Sequence, residues 1–202
     1  MRWNTESPTI LKSVDWAVKA TRPDTARHST WPRFLFLTAV VVLAACARLI
    51  PHPPNISPIG AIALFGGTFF SRKSGAFLVP LAAMLLSDFI LGLHALLPVV
   101  YGCFALNVLL NRWLRSRRRF VPVALATIAG AVQFFIITNF ACWLLWYPHT
   151  LGGLCDCYVA AISFFRNTLV GDAVFTTVLF GGLALAEAAV PILREDRQFA
   201  PA

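Results

Sequence analysis

The sequence predicts an all-α integral membrane protein, a bundle of six transmembrane helices, on three observations. Apolar residues make up 58% of the 202 and charged residues only 13%, with a mean hydropathy of +0.71. Soluble domains carry about a quarter charged residues, so a soluble globule is excluded. Long apolar runs separated by Pro, Gly or Arg recur along the chain, and each spanning helix needs roughly 20 such residues. Lys and Arg gather at alternate gaps between these runs, as they do when cytoplasmic loops hold the positive charge.

The first 33 residues read as a polar cytoplasmic tail, residues 34–193 as the membrane domain and residues 194–202 as a second cytoplasmic tail. Helix 1 runs from Phe34 to Ile50 and stops at Pro51-His52-Pro53-Pro54, which cannot continue a helix. Helix 2, from Ile56 to Phe70, is short for a span. Its Gly60, Gly66 and Gly67 permit close packing or a break. Helix 3 follows Ser71-Arg72-Lys73-Ser74 and holds Ser87, Asp88 and His94 before Leu97; Pro98 opens helix 4, which ends near Leu110. Helix 5 covers Phe120 to Tyr147 without a formal charge. Gly152, Gly153 and Asp156 interrupt the stretch from Pro148 to Arg166, which reads as a loop or short interfacial helix. Helix 6 then extends from Asn167 to Leu193.

Charge tests this count. With the N-terminus inside, Arg2, Lys12, Lys19, Arg22, Arg27 and Arg33 lie in the tail, and Arg72 and Lys73 lie between helices 2 and 3. Arg112, Arg115, Arg117, Arg118 and Arg119 follow helix 4, and Arg194 and Arg197 close the chain. Only Arg48 and Arg166 of the 17 basic residues fall on the other side. Five spans would put the C-terminal arginines opposite the Arg-rich loop, so six fit best. The net charge of +8 is thus explained by topology rather than by nucleic acid, because no aromatic-interleaved basic face exists. The expected partners are the lipid membrane and a small-molecule ligand, with no nucleic acid.

Ionisable groups inside spans are costly and mark candidate sites. At ~1.5 Å per residue, Asp88 lies about 21 Å up helix 3 and Asp172 about 7 Å below the outer end of helix 6, with Cys103 at a similar depth and Asn107 one turn beyond. His52, Asn55, Tyr101, His149, Asp156 and Arg166 fall in the outer half. Read as structure alone, Asp88 makes a helix–helix hydrogen bond or partners Arg166, and Asp172 pairs with Arg166, since buried charges are paired; Cys103 is an inert buried thiol. Cys155-Asp156-Cys157 lacks the paired spacing of zinc sites. An acid/base enzyme using Asp88 and Asp172 is disfavoured, because a nearby Arg166 keeps both ionised. No intrinsic cofactor is expected.

Arg48-Leu-Ile-Pro-His-Pro-Pro-Asn55, Pro58-Ile-Gly-Ala-Ile-Ala-Leu-Phe-Gly-Gly67, Leu85-Leu-Ser-Asp-Phe-Ile-Leu-Gly-Leu-His94 and Phe164-Phe-Arg-Asn-Thr-Leu-Val-Gly-Asp172 resemble small bacterial membrane proteins classed as transporters. The resemblance covers about Arg48 to Gly182. Within that group the chain is similar to the BtuM type, solitary cobalamin-binding subunits like the S-components of energy-coupling-factor vitamin transporters. The resemblance implies a six-helix fold in a bacterial inner membrane, both termini cytoplasmic, with an outward-facing pocket that takes up a corrinoid. It further implies a cysteine thiolate on the corrin cobalt, with incidental decyanation of bound cyanocobalamin. Cys103 is the best match, and Asp88, His52, Tyr101, Arg166, Asn55 and Asp172 would be wall contacts. Another vitamin-like solute or a metal ion is the alternative cargo. Ala39, Ala44, Ala45 and Ala47 never fall four apart, unlike the Ala-x-x-x-Ala docking surface of such subunits, which leaves dependence on an energising ATPase module open.

Overall fold

The computed structural model describes residues 30–194 except residues 52 and 54; most of both tails, and His52, lie outside the described residues. Six α-helices and no strand occur among the described residues: α1 (Thr30–Cys46), α2 (Ile59–Phe69), α3 (Lys73–Leu91), α4 (Leu97–Asn111), α5 (Phe120–Trp146) and α6 (Leu151–Ala189). Short 3-10 turns extend α1 over Ala47–Leu49 and α4 over Arg112–Ser116, and Pro191–Leu193 follows α6. Five of these stretches are long and apolar enough to cross a membrane, α2 being the shorter apolar one. The chain is a multi-pass membrane protein.

The exposed surface agrees. Leu43, Leu78, Leu86, Phe89, Ile90 and Leu185 are each more than 60% exposed, an apolar coat far beyond the patches that soluble monomers tolerate. The interior is organised around α2, whose residues from Ala61 to Phe69 are all buried. Small residues let its neighbours approach: a Cβ at Gly67 would meet the Val108 carbonyl oxygen and lie 3.1 Å from Asn111 Cβ. Such close backbone packing, rather than the hydrophobic effect, holds helices together in lipid. Phe65 and Phe69 stack on Phe180 of α6, with centroids 5.9 and 4.9 Å apart. On the periphery, α5 buries only Ala131 and Thr138.

The elements sort into two ends. Arg115 donates to the Phe70 carbonyl at 3.0 Å, Arg112 to the Ser71 carbonyl at 3.4 Å, and Arg118 lies over the Phe69 ring. Arg33 pairs with Glu187 at 2.5 Å and donates to the Leu193 carbonyl. The start of α1, the α2–α3 turn, the Arg-rich segment and the end of α6 therefore share one basic end. Arg48, Asn55, Asp88, His94, Trp146 and Tyr147 gather at the other.

Two boundaries differ from the sequence expectation. Helix 3 ends at Leu91 rather than Leu97, because Gly92 at φ 104° terminates it in a region of φ open mainly to glycine. The expected loop from Pro148 to Arg166 is instead the first part of α6, which runs for 39 residues, about 58 Å at ~1.5 Å per residue. Gly152 and Gly153 fall in its first turn, where Thr150 caps the helix by accepting from the Gly153 N–H at 3.1 Å. A Cβ at Gly153 would strike the Pro148 carbonyl. Glycine in a first turn marks a start rather than a break, and Asp156 and Arg166, both exposed, do not interrupt it.

Candidate solute cavity

An α5–α6 hairpin closes one wall of the cavity end. Trp143 Nε1 donates to the Pro148 carbonyl at 2.9 Å, and the His149 ring nitrogen lies 3.0 Å from the Leu144 carbonyl. Tyr158 donates to the Ile136 carbonyl at 2.7 Å, and the Cys157 thiol to the Asn139 carbonyl at 3.4 Å. Between this hairpin and the ends of α1, α3 and α4 lies a cavity of about 470 Å³, within the 300–1,000 Å³ typical of small-molecule sites. Phe134, Phe135, Phe164, Phe165 and Trp146 give it an aromatic wall. Asn55, His94, Thr138 and Asn139 add polar groups. Asn139 Nδ2 donates to the Phe135 carbonyl at 2.7 Å, which leaves its amide oxygen and second N–H to meet a ligand.

The polar centre of this cavity is a network on Asp88. Arg48 Nη2 donates to Asp88 Oδ1 at 2.6 Å and Arg48 Nη1 to Ser87 Oγ at 2.5 Å, while Tyr101 Oη donates to Asp88 Oδ2 at 2.7 Å. Asp88 is 3% exposed. A carboxylate so buried is costly unless paired and hydrogen-bonded, and here both of its oxygens have donors. Arg48 and Asp88 both line the cavity, so the pair presents a compact, nearly neutral polar surface.

The expected site residues separate into distinct groups. Asp88 and Asn55 line the cavity, and Tyr101 reaches it through Asp88. Asn55 adopts φ 64°, a left-handed conformation that Asn tolerates better than most residues. Cys103 is 2% exposed and does not line the cavity; the thiols that do are Cys142 and Cys157. The expected partnership of Arg166 with Asp88 and Asp172 is absent: Arg166 is exposed on α6, and Arg48 takes Asp88. Asp172 lies 21 residues into α6 and not at its outer end. Its carboxylate accepts from the backbone N–H groups of Gly60 and Ala61, capping α2 from another helix where the N-terminal donors have no partner of their own. Asp88, Cys103 and Asp172 therefore do not converge on one pocket.

Arg48 is the central residue that the reading of buried ionisable groups does not include. Its signal was present as one of two cations outside the charge alternation. The Thr138-Asn139 pair gives no such signal, because uncharged polar residues within helix 5 do not interrupt its apolar run.

A family model described as a family of unknown function (DUF6580) matches residues 28–193, and the chain belongs to that family. No curated protein and no solved structure matches the chain.

Proposed function

We propose, from the premise that this is a multi-pass member of a family whose function is unknown, that the chain is a membrane solute-binding protein for uptake. Its ligand is a small organic molecule of vitamin size with a ring or apolar body, admitted at the end opposite the arginines. The observation that carries this reading is the cavity itself: aromatic walls, a few convergent polar groups and a satisfied Arg48–Asp88–Tyr101 network at the arginine-poor end. By the distribution of Lys and Arg, the basic end is cytoplasmic in a bacterial inner membrane and the cavity faces outward. Asp88 and Asp172 line different cavities, an arrangement that favours solute binding over acid/base chemistry by the pair.

A corrinoid is the second reading for the cargo, favoured by the resemblance and by two thiols, Cys142 and Cys157, in the cavity wall. Thiolate is a soft ligand suited to a metal such as cobalt; Cys103 is replaced in that role because it does not reach the cavity. A volume of about 470 Å³ suits a smaller solute better than a whole corrinoid, which would require the hairpin to move outward.

The test is a thermal-stability screen of purified protein against vitamins, nucleosides, aromatic acids and cobalamin. A saturable shift with a small organic solute, lost in Phe134→Ala, is the expected result. A corrin absorption band that disappears in Cys142→Ser or Cys157→Ser would select the second reading. Failure of every compound to bind, measured also by calorimetry, would sink both.

A further inference from the structure

We infer that a second site, beside the solute cavity, binds a single monovalent cation of the sodium class. Ile59 lines the large cavity, and its neighbour Gly60 lines a separate small chamber with Asp172, Asn107, Asn111, Thr127 and Gly130. The chamber is about 10 Å³, room for one water-sized occupant. Asn107 and Asn111 are each 6% exposed and Asp172 4%. Among the described residues neither asparagine side chain has a hydrogen-bond partner, although a buried amide left unpaired is costly and rare. Two amides and one buried carboxylate lining one chamber call for a positive or bridging occupant.

The donor chemistry narrows it. Thr127 Oγ1 gives its proton to the Val123 carbonyl at 2.9 Å, leaving only lone pairs to offer. Asp172 and Thr127 then offer only oxygen lone pairs, and each asparagine can present its amide oxygen, a donor set that suits hard cations. Charge decides the valence. The two N–H groups at the start of α2 carry roughly +0.5, so with Asp172 ionised the chamber stays net negative by about half a unit. A monovalent ion leaves about half a positive charge, whereas a divalent ion leaves about one and a half uncompensated in an apolar interior. The chamber's small size favours sodium over potassium.

The site stands independently of the cavity's cargo. Its role as a coupling ion, drawn inward while solute occupies the neighbouring cavity, rests on the uptake reading. Asp172 gives the link a physical form: the carboxylate facing the ion also caps α2, whose first residue, Ile59, is in the solute cavity.

The experiment is thermal unfolding of the full chain in micelles, with no solute added, across NaCl, KCl and choline chloride at constant ionic strength. Sodium should raise the unfolding temperature saturably and more than potassium, with no effect of choline beyond the baseline. Asp172→Asn should abolish the sodium response, but it also weakens the α2 cap. Asn107→Ala and Thr127→Val leave that cap in place and carry the decision: each should raise the half-saturating sodium concentration roughly tenfold, the loss of one contact to a charge. Equal stability in all three salts overturns the inference. So does a response to pH alone, which would put a proton on Asp172. If sodium stabilises but no solute binds, the cation site stands and the uptake reading falls.

Discussion

Asp88 and Asp172 are both buried acids on spanning helices, yet the bundle uses them in opposite ways. Asp88 is held by side chains, the Arg48 guanidinium and the Tyr101 hydroxyl, at the wall of a large cavity. Asp172 is held by backbone N–H groups of α2 beside a chamber the size of one water. The first arrangement neutralises a charge with a partner whose position depends on α1. In the second, a carboxylate is balanced by partial charges that cannot move independently of the helix they belong to. A paired acid can be a polar surface for a ligand; a capping acid ties the placement of one helix to another.

This contrast is tested most severely at Arg48. Arg48→Leu leaves Asp88 buried with no cation and should cost about 3–5 kcal/mol of stability. In Arg48→Leu/Asp88→Leu the loss should be much smaller than the sum of the single changes, as read by denaturant unfolding in micelles. If Arg48→Leu is neutral alone, Asp88 is not held by that pair. Next in size is Gly60→Ala. Its Cβ would lie 2.6 Å from Asp172 Oδ2, so overpacking of about 1–3 kcal/mol is expected. Gly181→Ala, with nothing within 4 Å of its added carbon, should be tolerated. Equal effects at the two glycines would mean that Asp172 does not sit against α2.

Tyr101→Phe removes one donor to Asp88 and should cost about 1.5 kcal/mol while weakening any cavity ligand that touches Asp88. The smallest effect is expected at Cys103: Cys103→Ser should leave ligand binding unchanged. In variants retaining a single cysteine, a maleimide should label Cys142 readily and Cys103 slowly. Fast labelling of Cys103, blocked by solute, would return it to the cavity.

Residues 116 and 153 extend the comparison to the two ends. Reporter fusions should place them on opposite sides of the membrane; finding both on one side would break the six crossings that the charge alternation predicts.

Composition and the long apolar runs determined the class, an all-helical multi-pass membrane protein, because lipid imposes its length and charge rules on each segment separately. Five helix positions were legible for that reason, and so was the buried site at Asp88, since an acid in an apolar run needs no partner to be noticed. The sequence also exposed Arg48, as a basic residue on the wrong side of the alternation, without saying what it held. Its partner is 40 residues away, and only packing of α1 on α3 brings them together. Tertiary structure likewise decided that Arg166 faces outward while Asp172 caps α2. Sequence depth counted from one helix end fixes height but not azimuth, and the misplaced start of helix 6 shifted even the height. The cysteines show the same limit. Cys103 and Cys142 both read as small apolar residues in spans, and which of them meets a ligand depends on the face each helix turns inward, set by the shapes of its neighbours.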